Sequence, residues 1–209
     1  MYTDEQFEQL EQEERTLTEE AIILMILLLQ TTKVNIEKEL RSFYQQYGRD
    51  GVVTWQQARK WVSGNDHRRR ITALLLTLTY EFDKLHSKLN PKFDTFLTKV
   101  IQKELGFFDL DLDIEDILNT PWGVDETTWF TRLADDVALW NIYVANDLKR
   151  SFMRQANVED VIELLNKRFT SMENVISKLA MTESTAVGSL ARREIFKELG
   201  ISKIGRAHV

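Results

Sequence analysis

Apolar positions recur along most of this chain every three or four residues, which is the repeat of an amphipathic α-helix. The clearest apolar stripe lies near the end of the sequence and includes Leu179, Val187, Ala191 and Ile195. Thr170 and Glu173 have the spacing of a capping box at its start, and Gly200 is typical of a left-handed helix stop. The pattern therefore predicts a helix from about residue 170 to Gly200.

Capping signals and turn residues divide the rest of the chain into further helices. We predict helices over residues 16–47, from Thr54 to the SGND segment, and over residues 66–89, 91–106, 126–155 and 158–169. Thr16 and Asp125 are the expected caps of the first and the fifth of these helices. Asn90 and Pro91 are expected to begin the fourth of these, because proline is favoured in the first turn of a helix. Gly48 is expected to end the first.

Between the two helical regions, the segment GFFDLDLDIEDILNTPWGVDE alternates acidic and apolar residues and contains a Pro and a Gly. This sequence pattern indicates an irregular or short-strand connector. We divide the chain into an acidic arm (1–15), an N-terminal helical region (16–106), the connector (107–125) and a second helical region (126–203). The predicted fold is mainly α, an elongated multi-helix assembly with long amphipathic helices and an irregular acidic connector.

Composition supports this reading. An apolar fraction of 43% with five Trp is enough to build a core, and only eight Gly and two Pro favour long helices over β-architecture. The net charge of −6 argues against a chain that binds polyanions over its whole surface. The absence of cysteine excludes a disulfide framework and a thiolate metal site in this sequence.

The run AIILMILLL (Ala21–Leu29) is the one candidate membrane segment. It has about half of the roughly 20 apolar residues that cross a bilayer. Acidic rather than basic residues precede it, which is not typical of a signal peptide. We interpret the run as the buried part of a long helix, and we expect no membrane insertion.

The chain lacks GxSxG, GxGxxG and phosphate-loop motifs. Asp109, Asp111 and Asp113 resemble the start of a calcium loop, but Ile114 and Thr120 occupy the positions that need Gly and Glu. We therefore predict no catalytic residue, no metal, no cofactor and no small-molecule substrate, and we expect that the chain is not an enzyme.

Two basic clusters are candidate DNA contacts, since Lys and Arg bind phosphates. The first is Arg68, Arg69 and Arg70, which follow His67, and the second is Arg192 and Arg193. The alternative for both clusters is a solvated turn of a helix.

Glu183 lies on the apolar stripe of the last predicted helix, four residues after Leu179 and four before Val187. A carboxylate there is either buried with a cationic partner or at a wet edge of the interface. Gly188 and other small residues follow it, and small residues let another backbone approach closely.

The stretch WFTRLADDVALWNIYVANDLKRSFMRQANVEDVIELLNKRF, followed by LAMTESTAVGSLARREIFKELGISK, resembles the head-morphogenesis (phage Mu F-like) minor head protein family of tailed bacteriophages. In that family a Trp and a basic residue precede a long helix, and a later helix carries R-T-E, small residues and a closing glycine. The matching positions here are Trp129, Arg132, Thr182, Glu183, Val187, Ala191, Arg192 and Gly200. Met181 stands where the family usually has Arg, and FYQQYGRDG (Phe43–Gly51) is similar to a segment of Gram-positive phage members.

The resemblance implies a virion component present in few copies at the portal vertex, within the phage head and in the host cytoplasm during assembly. Its implied partners are the portal protein and head proteins, with phage DNA as a further candidate during packaging or ejection. Thr182, Glu183, Trp129 and Arg132 would then be structural or partner-binding residues. We expect Glu183 to pair with Arg132, or alternatively with Arg154 or Arg168, and so to lock its helix against the Trp129 helix.

Members of that family continue beyond the T-E helix, whereas this sequence closes with KIGRAHV. Read as codons, that end matches a sequencing adapter, so we interpret Ile204–Val209 as an artefact and expect the natural gene to continue. Two other function classes stay open: a helical nucleic-acid-binding protein, and the N-terminal part of an enzyme whose active residues lie further on.

Overall fold

The computed structural model describes residues 3–53 and 68–201, with the side chains of the second range described from residue 74 onward. The described residues form helices α1 (Asp4–Tyr47), α2 (Arg68–Phe107), α3 (Ile114–Leu118), α4 (Trp129–Met153) and α5 (Val158–Glu198). Within these ranges β-pairing is limited to isolated bridges. The prediction of a mainly α fold is confirmed, while the short helix expected from Thr54 falls outside the described residues.

Helix α1 begins earlier than the sequence pattern suggested. Thr3 and Gln6 form the capping box at its start: the Thr3 N–H donates to Gln6 Oε1 (2.9 Å) and the Gln6 N–H to Thr3 Oγ1 (3.3 Å). Thr16, the predicted cap, instead donates its hydroxyl to the Gln12 carbonyl inside the helix (2.9 Å). Most of the acidic arm is therefore the first turns of α1, which ends at Tyr47 before Gly48 as expected.

Two predicted helix breaks are wrong. Helix α2 runs uninterrupted through Pro91, although an interior proline costs about 3 kcal/mol. Leu89 and Phe93 on either side are fully buried, so the apolar stripe continues across the proline and offsets that cost. Helix α5 likewise continues through Thr170, whose hydroxyl donates to the Asn166 carbonyl (3.1 Å) instead of capping a new helix.

The chain forms two compact units, each assembled from segments that are far apart in the sequence. The first unit takes the described parts of Met1–Leu24, Asn90–Arg132 and Ser177–Val209. The second takes those of Met25–Leu89 and Leu133–Ile176.

In the first unit, α1 lies antiparallel to both α2 and α5. Phe7 packs against Phe107, with ring centroids 5.0 Å apart. Thr18 and Ser184 are joined by a hydroxyl–hydroxyl hydrogen bond of 3.1 Å between α1 and α5. The first unit therefore contains a three-helix core, to which the connector and the first turn of α4 are added.

In the second unit, polar pairs join neighbouring helices around an apolar centre. Asn35 on α1 donates to Glu81 on α2 (2.8 Å), and Asn141 on α4 donates to Thr79 on α2 (3.3 Å). Phe82 and Phe169 stack within the core, both almost fully buried. Arg168 of α5 pairs with Asp147 of α4, and Arg41 of α1 pairs with Glu159 of α5.

The apolar run of α1 is only half buried, which corrects our interpretation of it. One face packs inward through Ala21, Met25 and Leu29. The other face faces solvent: each of three residues there, Ile23, Leu24 and Leu27, is between 51 and 59% exposed. Among the described helices, none has a stretch long and apolar enough to span a bilayer.

The connector contains a short helix rather than a strand. Asp113 caps α3 by accepting hydrogen bonds from the backbone N–H groups of Glu115 (2.9 Å) and Asp116 (3.2 Å). Asp109 adopts a positive φ of 53°, which closes the turn after α2. The acidic run thus supplies a helix cap and a turn.

Candidate functional site

Glu183 on α5 stands at one of the positions that carry the family resemblance, and only 1% of its surface is exposed. Its Oε1 accepts a hydrogen bond from Arg132 Nη1 (2.8 Å), and its Oε2 accepts one from the Trp122 indole Nε1 (2.8 Å). The predicted pair of Glu183 with Arg132 is therefore confirmed. Arg168, one of the two alternatives, pairs with Asp147 instead.

Arg132 connects Glu183 to the end of the connector. Its Nη2 donates to the backbone carbonyls of Trp122 (2.5 Å) and Thr127 (3.1 Å), and its guanidinium carbon lies 4.1 Å from the Trp122 ring centroid. Asp125 accepts from Nη2 through Oδ1 (2.8 Å) and from Nε through Oδ2 (3.2 Å). The contacts made by Glu183, Arg132, Trp122 and Asp125 are called the arginine latch below.

The local sequence explains why the connector can reach Arg132. The Trp122 N–H donates to the Thr127 carbonyl (3.2 Å), which closes a tight loop between them. Gly123 has a φ of 83°, and a Cβ atom there would lie 3.0 Å from Asp125 Oδ1 and 3.2 Å from Arg132 Nη2. Glycine is required at this position both by the backbone conformation and by the space that the guanidinium fills.

Asp125 was predicted to cap α4, and the structure gives it a different role. Thr128 precedes the helix and accepts a weak hydrogen bond from the Thr131 N–H (3.4 Å). The hydrogen bonds from Arg132 hold the pKa of Asp125 well below its usual range. The same hydrogen bonds, followed by those to Glu183, raise the pKa of the Arg132 guanidinium. Asp125 and Arg132 are therefore both charged at neutral pH.

The latch has the geometry of a structural support. Both oxygens of Glu183 are engaged, and charge-assisted hydrogen bonds of this kind are about twice as strong as neutral ones. A buried pair of this type costs about 3–5 kcal/mol to break when one partner is removed. No group of three or more metal-ligating His, Cys, Asp or Glu side chains occurs among the described residues.

Trp129 and Thr182, the other predicted structural residues, differ in exposure. Trp129 is 6% exposed and stacks on Phe93 of α2, with ring centroids 6.0 Å apart and planes inclined by 8°. Thr182 is exposed on α5 beside Glu183. Trp129 thus anchors α4 in the core, while Thr182 faces outward.

A second buried charge cluster, which the sequence analysis did not find, joins all three long helices of the first unit. Arg192 Nη2 lies 2.5 Å from Glu104 Oε1 and 3.3 Å from Glu14 Oε2. Glu104 is fully buried, and burial together with this neighbouring carboxyl group raises the pKa of Glu14 to about 8. Gly188 lies beside the cluster, and a Cβ atom there would be at ordinary contact distance, 3.6 Å from Glu104 Oε1 and 3.7 Å from Glu14 Oε1.

Beside this cluster, α1 and α5 enclose a half-open cleft of about 430 Å³. Its walls are formed by Glu11, Glu14, Arg15, Thr18, Glu19 and Ile22 on α1 and by Met181, Ser184, Thr185, Gly188, Ser189 and Arg192 on α5. The outward turn that carries Thr182 lies beside this cleft.

The candidate DNA contacts are not brought together as a phosphate-binding surface among the described residues. Arg192 is held by its two glutamates, and Arg193 pairs with its neighbour Glu194 (3.1 Å). The side chains of the other candidates, Arg68, Arg69 and Arg70, lie outside the described residues.

Comparison of the chain with protein-family models, with curated protein sequences and with solved structures finds no match.

Proposed function

We propose that this chain is a minor head protein of a tailed bacteriophage, acting as a helical docking scaffold in head assembly at the portal vertex. The residues that carry the resemblance to that family include Arg132 and Glu183, which meet in one buried contact. The complete engagement of the Glu183 carboxylate is the observation that carries the proposal.

A general base must lie within hydrogen-bonding reach of the proton that it abstracts. Glu183 is 1% exposed, and both of its oxygens accept hydrogen bonds from protein groups. Such a group is well suited to hold α5, α4 and the connector in one arrangement and poorly suited to acid–base chemistry. This favours a scaffold over an enzyme for the residues at hand.

The latch leaves a defined face of α5 in solvent. Met181 is 59% exposed, and Thr182 and Thr185 are exposed on the same turn, at the edge of the cleft between α1 and α5. In the proposed function this face contacts the portal protein. An apolar side chain within a polar rim is a common arrangement at protein interfaces.

The test is binding of the purified chain to the portal protein of the same phage, measured by size-exclusion chromatography and isothermal titration calorimetry. We expect a complex with the wild type and weaker binding for Met181→Asp at unchanged melting temperature. Glu183→Gln should lower both the melting temperature and portal binding. Thr170→Asp, at an exposed position of α5 away from the cleft, is the matched control.

Absence of a complex with that portal protein would contradict the proposal, as would a Glu183→Gln variant unchanged in both stability and portal binding. Tight, strongly salt-dependent binding of the isolated chain to DNA, with no portal complex, would favour the nucleic-acid-binding alternative instead.

A further inference from the structure

Helix α1 exposes a regularly spaced row of residues, apolar at Leu24, Leu27 and Val34, that its own core does not use. The row consists of exposed positions separated alternately by four and three residues: Glu20, Leu24, Leu27, Thr31, Val34 and Lys38. This is the spacing at which two packed helices bury their contact positions. We call these positions the α1 seam.

The exposure of the α1 seam is substantial and is confined to one side of the helix. Leu24, Leu27 and Val34 are 51, 56 and 59% exposed, while Met25 and Leu29 on the inward side are fully buried. Single exposed apolar residues are common on protein surfaces. A row of them at heptad spacing is what a helical partner would cover.

Residues at equal distances from the centre of the α1 seam are suited to contact each other. An acid, Glu20, opens it and a base, Lys38, closes it; apolar residues come next at both ends, and Leu27 and Thr31 occupy the middle. When two such helices are laid antiparallel, Glu20 of one copy meets Lys38 of the other, and Leu24 meets Val34. A parallel arrangement would set Glu20 against Glu20 and Lys38 against Lys38, which is unfavourable.

We propose that the α1 seam is a contact between two copies of this chain, which pair antiparallel about a two-fold axis level with residue 29. A two-fold contact places the same surface of both copies together, and it requires the surface to be complementary to itself. The opposite charges at equal distances from the centre of the seam meet that requirement.

A membrane surface fits the α1 seam less well. Helices that lie on membranes usually carry Lys and Arg on their polar face. Here Glu19 and Glu20 flank the apolar positions on one side, and Thr31 interrupts them. Because the contact is a single helix pair, we expect weak association, with a dissociation constant of the order of micromolar.

The first experiment is sedimentation equilibrium of the full chain over a wide range of concentration. We expect a reversible monomer–dimer equilibrium that weakens by at least about tenfold in Leu24→Asp/Leu27→Asp. The melting temperature at low concentration should be unchanged, because neither side chain belongs to the core. The matched control is Leu139→Asp/Ile142→Asp on α4, two side chains that are 42 and 53% exposed. It should leave the dimer intact.

The second experiment tests the antiparallel direction and uses the absence of cysteine from the sequence. Glu20→Cys chains mixed with Lys38→Cys chains should form an intermolecular disulfide under mild oxidation. Either variant alone should form little intermolecular disulfide. In a pair of identical chains the two thiols would lie at opposite ends of the seam, too far apart for a disulfide bond.

A chain that is monomeric at all concentrations would overturn the proposal, and so would a dimer that the seam variants do not weaken but the α4 control does. Efficient cross-linking of Glu20→Cys alone would overturn the antiparallel arrangement.

Discussion

Removal of Arg132 from the latch should destabilise the protein strongly. Arg132→Met keeps the aliphatic stem of the side chain but leaves the Glu183 carboxylate buried without its cation. It also removes the Arg132 donor to the Trp122 carbonyl and one of the two donors to the Thr127 carbonyl, which keeps the Trp122 N–H. Breaking a buried pair in this way costs about 3–5 kcal/mol. For a chain of this length, each kcal/mol lowers the melting temperature by about 2–4 °C, so the expected decrease is roughly 6–20 °C.

The assay is thermal unfolding at pH 7, followed by far-UV circular dichroism. Arg193→Met is the matched control, because Arg193 makes an exposed pair with Glu194. Exposed pairs contribute less than about 1 kcal/mol, so this variant should melt within a few degrees of the wild type.

A double substitution sharpens the test. Arg132→Met/Glu183→Leu removes the buried charge together with its partner, so it should be more stable than Arg132→Met alone. Two results would contradict this reasoning. One is an Arg132→Met variant that melts like the Arg193→Met control, and the other is a double variant whose loss of stability equals the sum of the losses in the two single variants. Either result would mean that Arg132 does not stabilise the buried charge of Glu183.

Three further predictions follow from the first unit. Trp122→Phe keeps a ring for the Arg132 guanidinium but removes the indole donor to Glu183, so it should cost about 1–3 kcal/mol in a urea titration; a loss below about 0.5 kcal/mol would contradict the hydrogen bond. Gly188→Ala places a Cβ atom at ordinary contact distance and raises helix propensity, so its melting temperature should rise, whereas Gly188→Leu should lower it by overpacking. The folded state raises the pKa of Glu14 from 4.5 to about 8 because of burial and the Glu104 carboxyl group, and it therefore binds this proton more tightly than the unfolded chain. Stability should fall as the pH rises from about 4.5 to about 8, and Glu14→Gln should melt at a temperature that changes less between pH 5 and pH 8.5; an unchanged slope would refute the assignment.

The helices themselves were largely predictable, because their apolar periodicity and caps are local signals. Gly200 has the expected left-handed conformation (φ 68°), and Asn157 caps α5 through a 2.9 Å bond from the Asp160 N–H. The errors at Pro91 and Thr170 have one cause: a local break signal was outweighed by an apolar stripe that continues on both sides.

Side-chain partners across helices were harder to predict. The Glu183–Arg132 pair was expected because a buried carboxylate needs a cationic partner and because both residues stand at positions that carry the family resemblance. Trp122 was missed, since nothing in the pattern of the connector indicates which way its indole points. Arg192 was named a candidate DNA contact because it forms a basic cluster with Arg193. Its partner Glu14 on α1 is 178 residues away in the sequence, so no local signal indicated the pair.

The most direct test of the central claim, that Glu183 is sequestered and held by the latch, is hydrogen exchange of the Trp122 indole proton followed by NMR. The Trp122→Phe variant identifies its resonance among the five tryptophans. The latch predicts slow exchange of this proton in the wild type and fast exchange in Arg132→Met. Exchange in the wild type at the rate of a free indole would contradict the claim.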